Sequence, residues 1–439
     1  MSKSRSAWRC LFAFGMAASP ALSAIINVPA DRPTIQSAIG FASSGDEIVI
    51  ADGVYTGTGN VNVTYDGKNV TVRSASGDAS TVIIDCAGAN RAISIQNGET
   101  SAALQNVTIR NGFAGGGSGG GVRVSGSSTP TISGVVFIDN LADGGNGGGI
   151  IVEESGNPLI VGCTFIGNTS NGGSGGGICV RGSANATVRD CLFDRNFALA
   201  GSGAGLCSRE SGHVDAVNSV FHANVSDGGQ GGAFAAREDS TASLVNCTAL
   251  GNSGGANGGF VSRDGSVTTI ANCISWGNVG TNVGTTDGGA SNVSYSNVGG
   301  GYAGTGNIDA DPGISDPNGG DFSLTSGSPC IDAGDNGAVP GGVTTDYAGD
   351  PRFVDDAGTP DTGAGTAPIV DMGATEFAGS AGCLGDLDGD NDVDLADLAV
   401  MLADFGCAGG GCAGDLDGDG DTDLTDLSTQ LSLFGTVCP

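Results

Sequence analysis

An asparagine recurs along this chain at Asn111, Asn140, Asn168, Asn196, Asn224, Asn252 and Asn278, in steps of 29, then 28 four times, then 26. Phe137, Phe165, Phe193 and Phe221 stand three residues before four of them. Gly121, Gly149, Gly177 and Gly205 precede the apolar Val122, Ile150, Ile178 and Leu206 at the same step. A fixed period of this length means a solenoid, in which each coil buries its apolar face only against its neighbours. Each coil reads as a Gly-rich turn, a short strand such as Gly177 to Val180, a polar corner, and a strand such as Thr187 to Phe193 running into the asparagine. Stacked coils place the Phe column in the core and the Asn column in a hydrogen-bonded ladder at a turn.

Composition agrees with this. The 82 glycines and 5% aromatic content are wrong for a conventional globular core, but periodic glycine supplies turns. The 47 acidic against 16 basic residues, a formal charge of −31, exclude nucleic acid and anionic membranes as natural partners.

Lys3, Arg5 and Arg9, the apolar run Leu11 to Ala18, and the small residues around Ser23 and Ala24 give residues 1–24 the form of a cleaved secretory signal peptide. No later stretch is long and apolar enough to span a membrane. The expected location is therefore extracellular or at the cell surface, for a monomer. Export makes the other cysteines candidates for disulfides. Cys163, Cys191, Cys247 and Cys273 share one column, with Ser219 between, and Cys179 and Cys207 share another. Coils about 4.8 Å apart permit disulfides between neighbours. Stacked free thiols serving as small core residues are the alternative.

Pro33 followed by Ile35, Ala38, Ile39 and Ala42 predicts a short amphipathic helix covering the open end of the core. This order resembles the N-terminal cap of right-handed parallel β-helices. The fold class expected is thus all-β, a right-handed single-stranded parallel β-helix of the pectin lyase-like type with about ten coils over residues 25–300, plus a small α module. Phe137-Ile-Asp-Asn140, Phe165-Ile-Gly-Asn168, Phe193-Asp-Arg-Asn196 and Phe221-His-Ala-Asn224, with Gly148-Gly-Ile150 and Gly232-Ala-Phe234, resemble the FxxN and GGA[ILV] motifs of chlamydial polymorphic outer-membrane proteins. Those are β-helical surface adhesins. Their C-terminal membrane barrel has no counterpart here, so the resemblance implies fold and surface contact, not self-transport. Residues 301–379, with Ser328-Pro-Cys-Ile-Asp-Ala-Gly-Asp335 and Asp371-Met-Gly-Ala-Thr-Glu376, resemble the segment that closes bacterial secreted β-helices and read as further coils or a cap.

Residues 380–439 carry the strongest chemical motif, two acidic twelve-residue loops. The first offers Asp386, Asp388, Asp390, Asp392, Asp394 and Asp397, and the second Asp415, Asp417, Asp419, Asp421, Asp423 and Asp426. Carboxylates at positions 1, 3, 5, 9 and 12 and a backbone carbonyl at 7 supply the oxygens calcium requires, so two calcium ions are expected. Position 12 is Asp, and one helix follows each loop, Leu398 to Phe405 and Leu427 to Phe434, with none before. That pattern resembles a type I dockerin. The resemblance implies a cohesin-like partner, but Leu395-Ala396 and Leu424-Thr425 stand at positions 10 and 11, where that family often has the Ser-Thr pair that contacts cohesin. Cys383 and Cys407 flank the first repeat and Cys412 and Cys438 the second, which leaves one bridge per repeat or a clasp of the module ends.

The candidate catalytic residues form a ladder: Arg181, Arg209, Arg237 and Arg263, the last three followed by Glu210, Glu238 and Asp264. A lyase needs a base and a cation beside a uronate, which Arg next to an acid could provide; the same ladder could equally be self-neutralising. A hydrolase needs two facing carboxylates, for which Asp190 and Asp194 are the nearest pair. His213 and His222 lack a nucleophile partner. Trp276 shares a column with Ile138, Ile166, Asp194, His222 and Leu250, which should face outward as a shallow contact strip. The reading is a secreted β-helix protein for adhesion or polysaccharide contact; the alternatives are a polysaccharide-degrading enzyme, lyase before hydrolase, and a plain spacer.

Overall fold

The computed structural model describes residues 23–356, 358–377, 384–388, 392–408, 412–417 and 420–436. The leader expected at residues 1–24 falls almost wholly outside them, as do Asp390, Asp419, Cys383 and Cys438.

Three parallel sheets run the length of the solenoid, and a fourth spans its central coils. Sheet I has eleven strands, from Ile25–Val28 to Ala290–Ser294; sheet II has ten, from Gly53–Tyr55 to Asn297–Val298; sheet III has nine, from Val63–Thr64 to Thr281–Thr285. Sheet IV has six short strands, from Phe113–Gly117 to Ser253–Gly254; the coils that have one visit the sheets in the order I, II, IV, III, and the others in the order I, II, III. Register is maintained over successive coils at the 28-residue step, as in Phe165↔Phe193↔Phe221 and Ile150↔Ile178↔Leu206. This is a parallel β-helix.

Helix α1 (Ile35–Phe41) forms where Pro33 and the apolar spacing placed it. Thr34 caps it in a reciprocal box with Ser37, and Ile35, Ala38 and Ile39 are buried. Those side chains join the core at its N-terminal end, so the first coil does not expose its apolar interior to water.

Inside, Phe137, Phe165, Phe193 and Phe221 stack face to face with centroids 4.8 Å apart and planes within 6°. The glycine column exists because of them. A Cβ on Gly177 would lie 2.8 Å from the Phe193 ring and 2.5 Å from the Gly205 carbonyl oxygen. In the next coil of the series both members change together. Phe221 is followed in register by Ala249, and Gly205 is followed by Ala233. The lost aromatic volume returns on sheet III, where Phe260 meets Phe221 edge-on at 6.1 Å. Core volume is conserved while its source moves between walls.

The asparagine ladder is buried from Asn140 to Asn278. Asn196 Oδ1 accepts from the Asn168 backbone N–H (3.0 Å) and Nδ2 (3.0 Å). Asn196 Nδ2 donates to the Phe165 carbonyl (3.0 Å) and to Asn224 Oδ1 (2.9 Å). Asn111 is a correction to the sequence reading. It lies one residue outside the ladder, in a left-handed conformation (φ +54°), bonded to Asp85. The backbone N–H of Gly112 occupies the ladder slot instead, donating to Asn140 Oδ1 (2.8 Å). The step of 29 between Asn111 and Asn140 is this one-residue offset.

The stacked cysteines are free thiols, all buried. Cys163, Cys191, Cys247 and Cys273 project into the core, and each thiol contacts a nearby carbonyl, as Cys191 does with that of Arg189 at 3.1 Å. Cys179 and Cys207 face away from the core and form a separate small cluster with Ile151. Packing requires only a small apolar group at these positions, and a free thiol supplies one.

Residues 302–310 add one last irregular turn, with Asn297 bridged in parallel to Ile308. The chain then turns back along the flank of sheet II, with only a short antiparallel pair, Ile314–Asp316 with Asp321–Leu324. Phe322, Leu324, Ile331 and Met372 pack onto Val220, Leu250 and Ile274 of the solenoid. Asn218, Asn246 and Asn272 anchor it, donating to the carbonyls of Thr345 (2.7 Å), Asp371 (3.1 Å) and Asp335 (2.9 Å).

Replacing Asn196 with Ala leaves the buried Asn168 backbone N–H without its acceptor and takes one bond each from Asn168 Nδ2, the Phe165 carbonyl and Asn224 Oδ1. At about 1–3 kcal/mol for each buried group left unsatisfied, a loss of roughly 2–4 kcal/mol is expected, read as a lowered denaturation midpoint. An unchanged midpoint would show that the ladder is not a stabilising element.

Candidate functional site

The arginine ladder stands at the edge of sheet III, where strand register pairs Arg181 with Arg209. Every member is ion-paired. Arg181 meets Glu153 at 2.7 Å and Glu210 at 3.7 Å; Arg209 meets Glu238 at 3.0 Å and Glu210 at 3.2 Å. Arg237 meets Glu238 at 2.9 Å and Asp264 at 3.9 Å, and Arg263 meets Asp264 at 3.0 Å and Asp287 at 3.4 Å. Burial acts against the charge on Arg181, yet Glu153 and then Glu210 raise it above the usual arginine range. Glu210, Glu238 and Asp264 all occupy the left-handed region. Repetition in consecutive coils makes this a turn type, not a strained catalytic residue. The self-neutralising reading of the ladder is the one the geometry supports.

At its N-terminal end the ladder opens into a polar groove of about 380 Å³. Arg91, Arg123, Arg181 and Glu153 form one side, and the Gly-rich turns at Gly116 to Ser118 and Gly144 to Asn146 the other. Glu153 is held between Arg123 (2.8 Å) and Arg181 (2.7 Å). Arg91 differs from both. Its Nε donates to the Gly119 carbonyl (2.6 Å) and another guanidinium nitrogen donates to that of Ser118, and no salt bridge among the described residues reaches it. Burial, then the charge of Arg123, hold its pKa below the usual arginine range. Sequence reasoning passed over Arg91 and Arg123 because neither falls on the 28-residue step of the ladder.

It also passed over a second polar ladder that shapes the groove wall. Asn146 donates its backbone N–H to Ser118 Oγ (3.0 Å), Ser174 to Asn146 Oδ1 (2.9 Å), and Ser202 to Ser174 Oγ (3.1 Å). The signal was present as a polar residue at 118, 146, 174 and 202, but the residue type changes between coils. Arg209 closes the groove margin by donating to Asn146 Oδ1 (3.1 Å).

Asp190 and Asp194 share no hydrogen-bonding or ionic partner among the described residues. Asp190 accepts from Asn218 (3.1 Å) and Arg189 (3.1 Å), and burial raises its pKa. Asp194 is buried too, but His222 (2.9 Å) and Arg195 outweigh that and lower its pKa. The His222 ring meets Phe322 edge-on at 5.7 Å. The column Asp194, His222, Leu250, Trp276 is in register as expected, but the returning segment covers it. It is no open contact strip, because Leu192, Val220, Leu250 and Ile274 on the same sheet offered the segment an apolar face. His213 lies elsewhere, paired with Asp215 at 3.1 Å and Thr241 at 2.7 Å.

The returning segment encloses a buried charged centre. Arg352 is fully buried and donates to the carbonyls of Ala374 (3.1 Å), Asp371 (3.2 Å) and Gly373 (2.6 Å), with Glu376 at 3.5 Å. Burial raises Asp371, and raises Glu376 to about 9 against the pull of Arg352.

In the terminal module both acidic loops are followed by a helix, α2 (Leu395–Asp404) and α3 (Leu424–Leu433). Each begins three residues earlier than the sequence reading placed it. Asp394 and Asp423, at loop position 9, act as N-caps, and Asp397 and Asp426, at position 12, complete reciprocal capping boxes. Asp397 accepts from the N–H groups of Leu387 (2.6 Å), Asp388 (3.0 Å) and Asp394 (2.7 Å). Burial opposes ionisation there, yet these donors hold its pKa below the usual range. Asp426 makes the same bonds in the second loop. One oxygen each from Asp386, Asp388 and Asp397, and from Asp415, Asp417 and Asp426, lie within 4.8 Å of one another. Such hard-donor groups suit a calcium-sized ion. Asp392, Asp394 and Asp397 form another such group.

Cys407 is bonded to Cys412, which rules out one bridge per repeat. The backbone explains it: Thr422 N–H donates to the Cys407 carbonyl (3.0 Å) and Ala408 bridges Asp421, bringing the end of one repeat to the start of the next.

Compared with known proteins, residues 48–253 and 148–311 match the family described as right handed beta helix region. The chain belongs to that family. Among solved structures, the family fold is similar to the pectate lyase Pel9A, at 14% identity and a TM-score of 0.41, covering 77% of this chain and 90% of that one. It is also similar to a mutant of the PL6 family alginate lyase AlyGC, at 11% identity and 0.23, covering 76% and 60%. Comparison with curated proteins gives no match. No helix among the described residues is long and apolar enough to cross a membrane.

Arg352, Asp371 and Asp346 all face Glu376. Because the folded-state pKa of Glu376 is raised above its ordinary 4.5, its favourable contribution is complete below that value and lost as pH rises through about 9. Hydrogen exchange at Met372 and Thr375, corrected for intrinsic rates, should therefore quicken between about pH 6 and 9.5, and Glu376→Gln should flatten the change. Equal protection at both pH values in the parent would contradict this.

Proposed function

We propose that this is a secreted, surface-associated β-helix protein that contacts polysaccharide through the groove at Arg91, Arg123 and Arg181, without catalysis. The single observation that carries this reading is Arg91, a guanidinium held in a polar groove by backbone carbonyls. A guanidinium with no salt bridge among the described residues is suited to a sugar carboxylate or to clustered hydroxyls. Glu153, the groove's own acid, is engaged by two arginines, which disfavours it as a proton acceptor.

A second reading, polysaccharide β-elimination, draws on the same groove. An arginine beside a carboxylate is the pairing that proton abstraction next to a uronate requires. In the plain-spacer reading the groove binds no glycan. The terminal module is proposed to bind two calcium ions, with Asp386, Asp388, Asp394 and Asp397 and their counterparts Asp415, Asp417, Asp423 and Asp426 as ligands among the described residues. A cohesin-like partner fits less well, since the strongly exposed Leu395 and Leu424 stand where hydroxyl contacts are usual.

Purified protein with calcium is to be screened against uronate-containing and neutral polysaccharides, recording retention and new unsaturated or reducing ends. Retention without product is expected, weakened about tenfold by Arg91→Ala, a change of about 1.4 kcal/mol. Unsaturated ends that vanish in Arg181→Ala would establish the lyase instead, and neither retention nor product would leave the spacer.

Calcium should increase helicity over residues 380–439, because the clustered carboxylates repel one another without the ion. A circular dichroism spectrum identical in chelator and in calcium would rule out this coupling.

A further inference from the structure

In the returning segment, away from both acidic loops, Asp332, Asp355 and Asp361 each place one carboxylate oxygen within 4.8 Å of the others. Asp332 is fully buried, and its Oδ1 has no hydrogen-bond partner. Its other oxygen has one long bond, from the Asp356 N–H at 3.3 Å. No salt bridge among the described residues reaches any of the three. A buried carboxylate oxygen with no partner is costly, and two further acids beside it increase the cost. A bound cation removes both penalties.

We propose that Asp332, Asp355 and Asp361 form a third cation site, for a hard divalent ion of calcium size, that fastens Asp355 and residues 358–363 to the body of the returning segment. Carboxylate oxygens are the hard donors of which calcium takes six to eight, with water making up the number. With Asp355 and Asp361 exposed, water completes the coordination from the solvent side.

The position gives the ion a structural task. The Asp332 carbonyl already accepts from the N–H groups of Thr362 and Gly363, both at 3.0 Å, and the Asp332 N–H donates to Asp371 (2.7 Å). Asp371 in turn offers the carbonyl to which Asn246 of the solenoid donates. An ion at Asp332 thus ties an exposed loop to the contacts that keep the segment against His222 and Trp276. The site does not depend on the polysaccharide reading or on the terminal loops.

The test uses the full chain with the terminal loops disabled by Asp386→Ala, Asp388→Ala, Asp415→Ala and Asp417→Ala. Equilibrium dialysis against calcium should find one ion still bound, and calcium should slow proteolysis within residues 311–377. Adding Asp355→Asn and Asp361→Asn, isosteric changes at exposed positions that leave the fold intact, should abolish both effects; Asp332→Asn, at the buried ligand, should do the same. Absence of a bound ion in the loop-disabled chain would overturn the proposal, as would an ion retained after Asp355→Asn and Asp361→Asn.

Discussion

The structure depends on in-register parallel stacking of coils whose polar corner groups are satisfied only by the neighbouring coil. An asparagine amide has two donors and an acceptor with two lone pairs. In the ladder each Oδ1 accepts two bonds from the preceding coil, while Nδ2 bonds the following amide and a main-chain carbonyl. A single residue thus fixes both coil spacing and register, because a one-residue slip would leave every amide unmatched in a dry interior. Asn111, one residue out of step, shows the ladder's limit: at that coil the chain uses a backbone N–H instead.

Everything outside the barrel rests on the columns this stacking creates. Columns of alternating charge neutralise themselves, and so the Arg181 to Arg263 edge carries little chemistry. Reactive character concentrates where periodicity fails. Arg91 stands outside the ladder and has no salt bridge among the described residues; Asp332 lies in the segment with no repeat and has a carboxylate oxygen without a partner. The apolar rungs Val220, Leu250 and Ile274 face outward from sheet II and are covered by the returning chain. That explains why the solenoid flank presents no aromatic strip to a glycan.

Much of the architecture was legible because it is periodic. The Phe, Gly and Asn columns, the helix at Ile35 to Phe41 and the two acidic loops each repeat or follow local rules of capping and spacing. The returning segment was not legible, since its fold is set by contacts more than a hundred residues apart, such as that between Asn218 and Thr345. Helix starts were misplaced for a local reason. Asp394 and Asp423 read as ligands, but the same side chains also cap, and a cap moves the helix boundary into the loop. The groove was hidden because its wall mixes Ser and Asn, residues that hydrogen-bond alike but do not look alike in a repeat.

The direction of the asparagine bonds carries a further implication. Every rung presents the same acceptor towards the N-terminal end and the same donor towards the C-terminal end, so any interior rung is interchangeable with any other as far as its neighbours are concerned. Only the ends are particular: α1 closes one, and Asn278, bonded to Asn282 in its own turn, finishes the other. The number of rungs is therefore a free variable for the gene. In-frame gain of one 28-residue unit outside the coils that line the groove would alter the reach of the protein while leaving that groove and the terminal module unchanged.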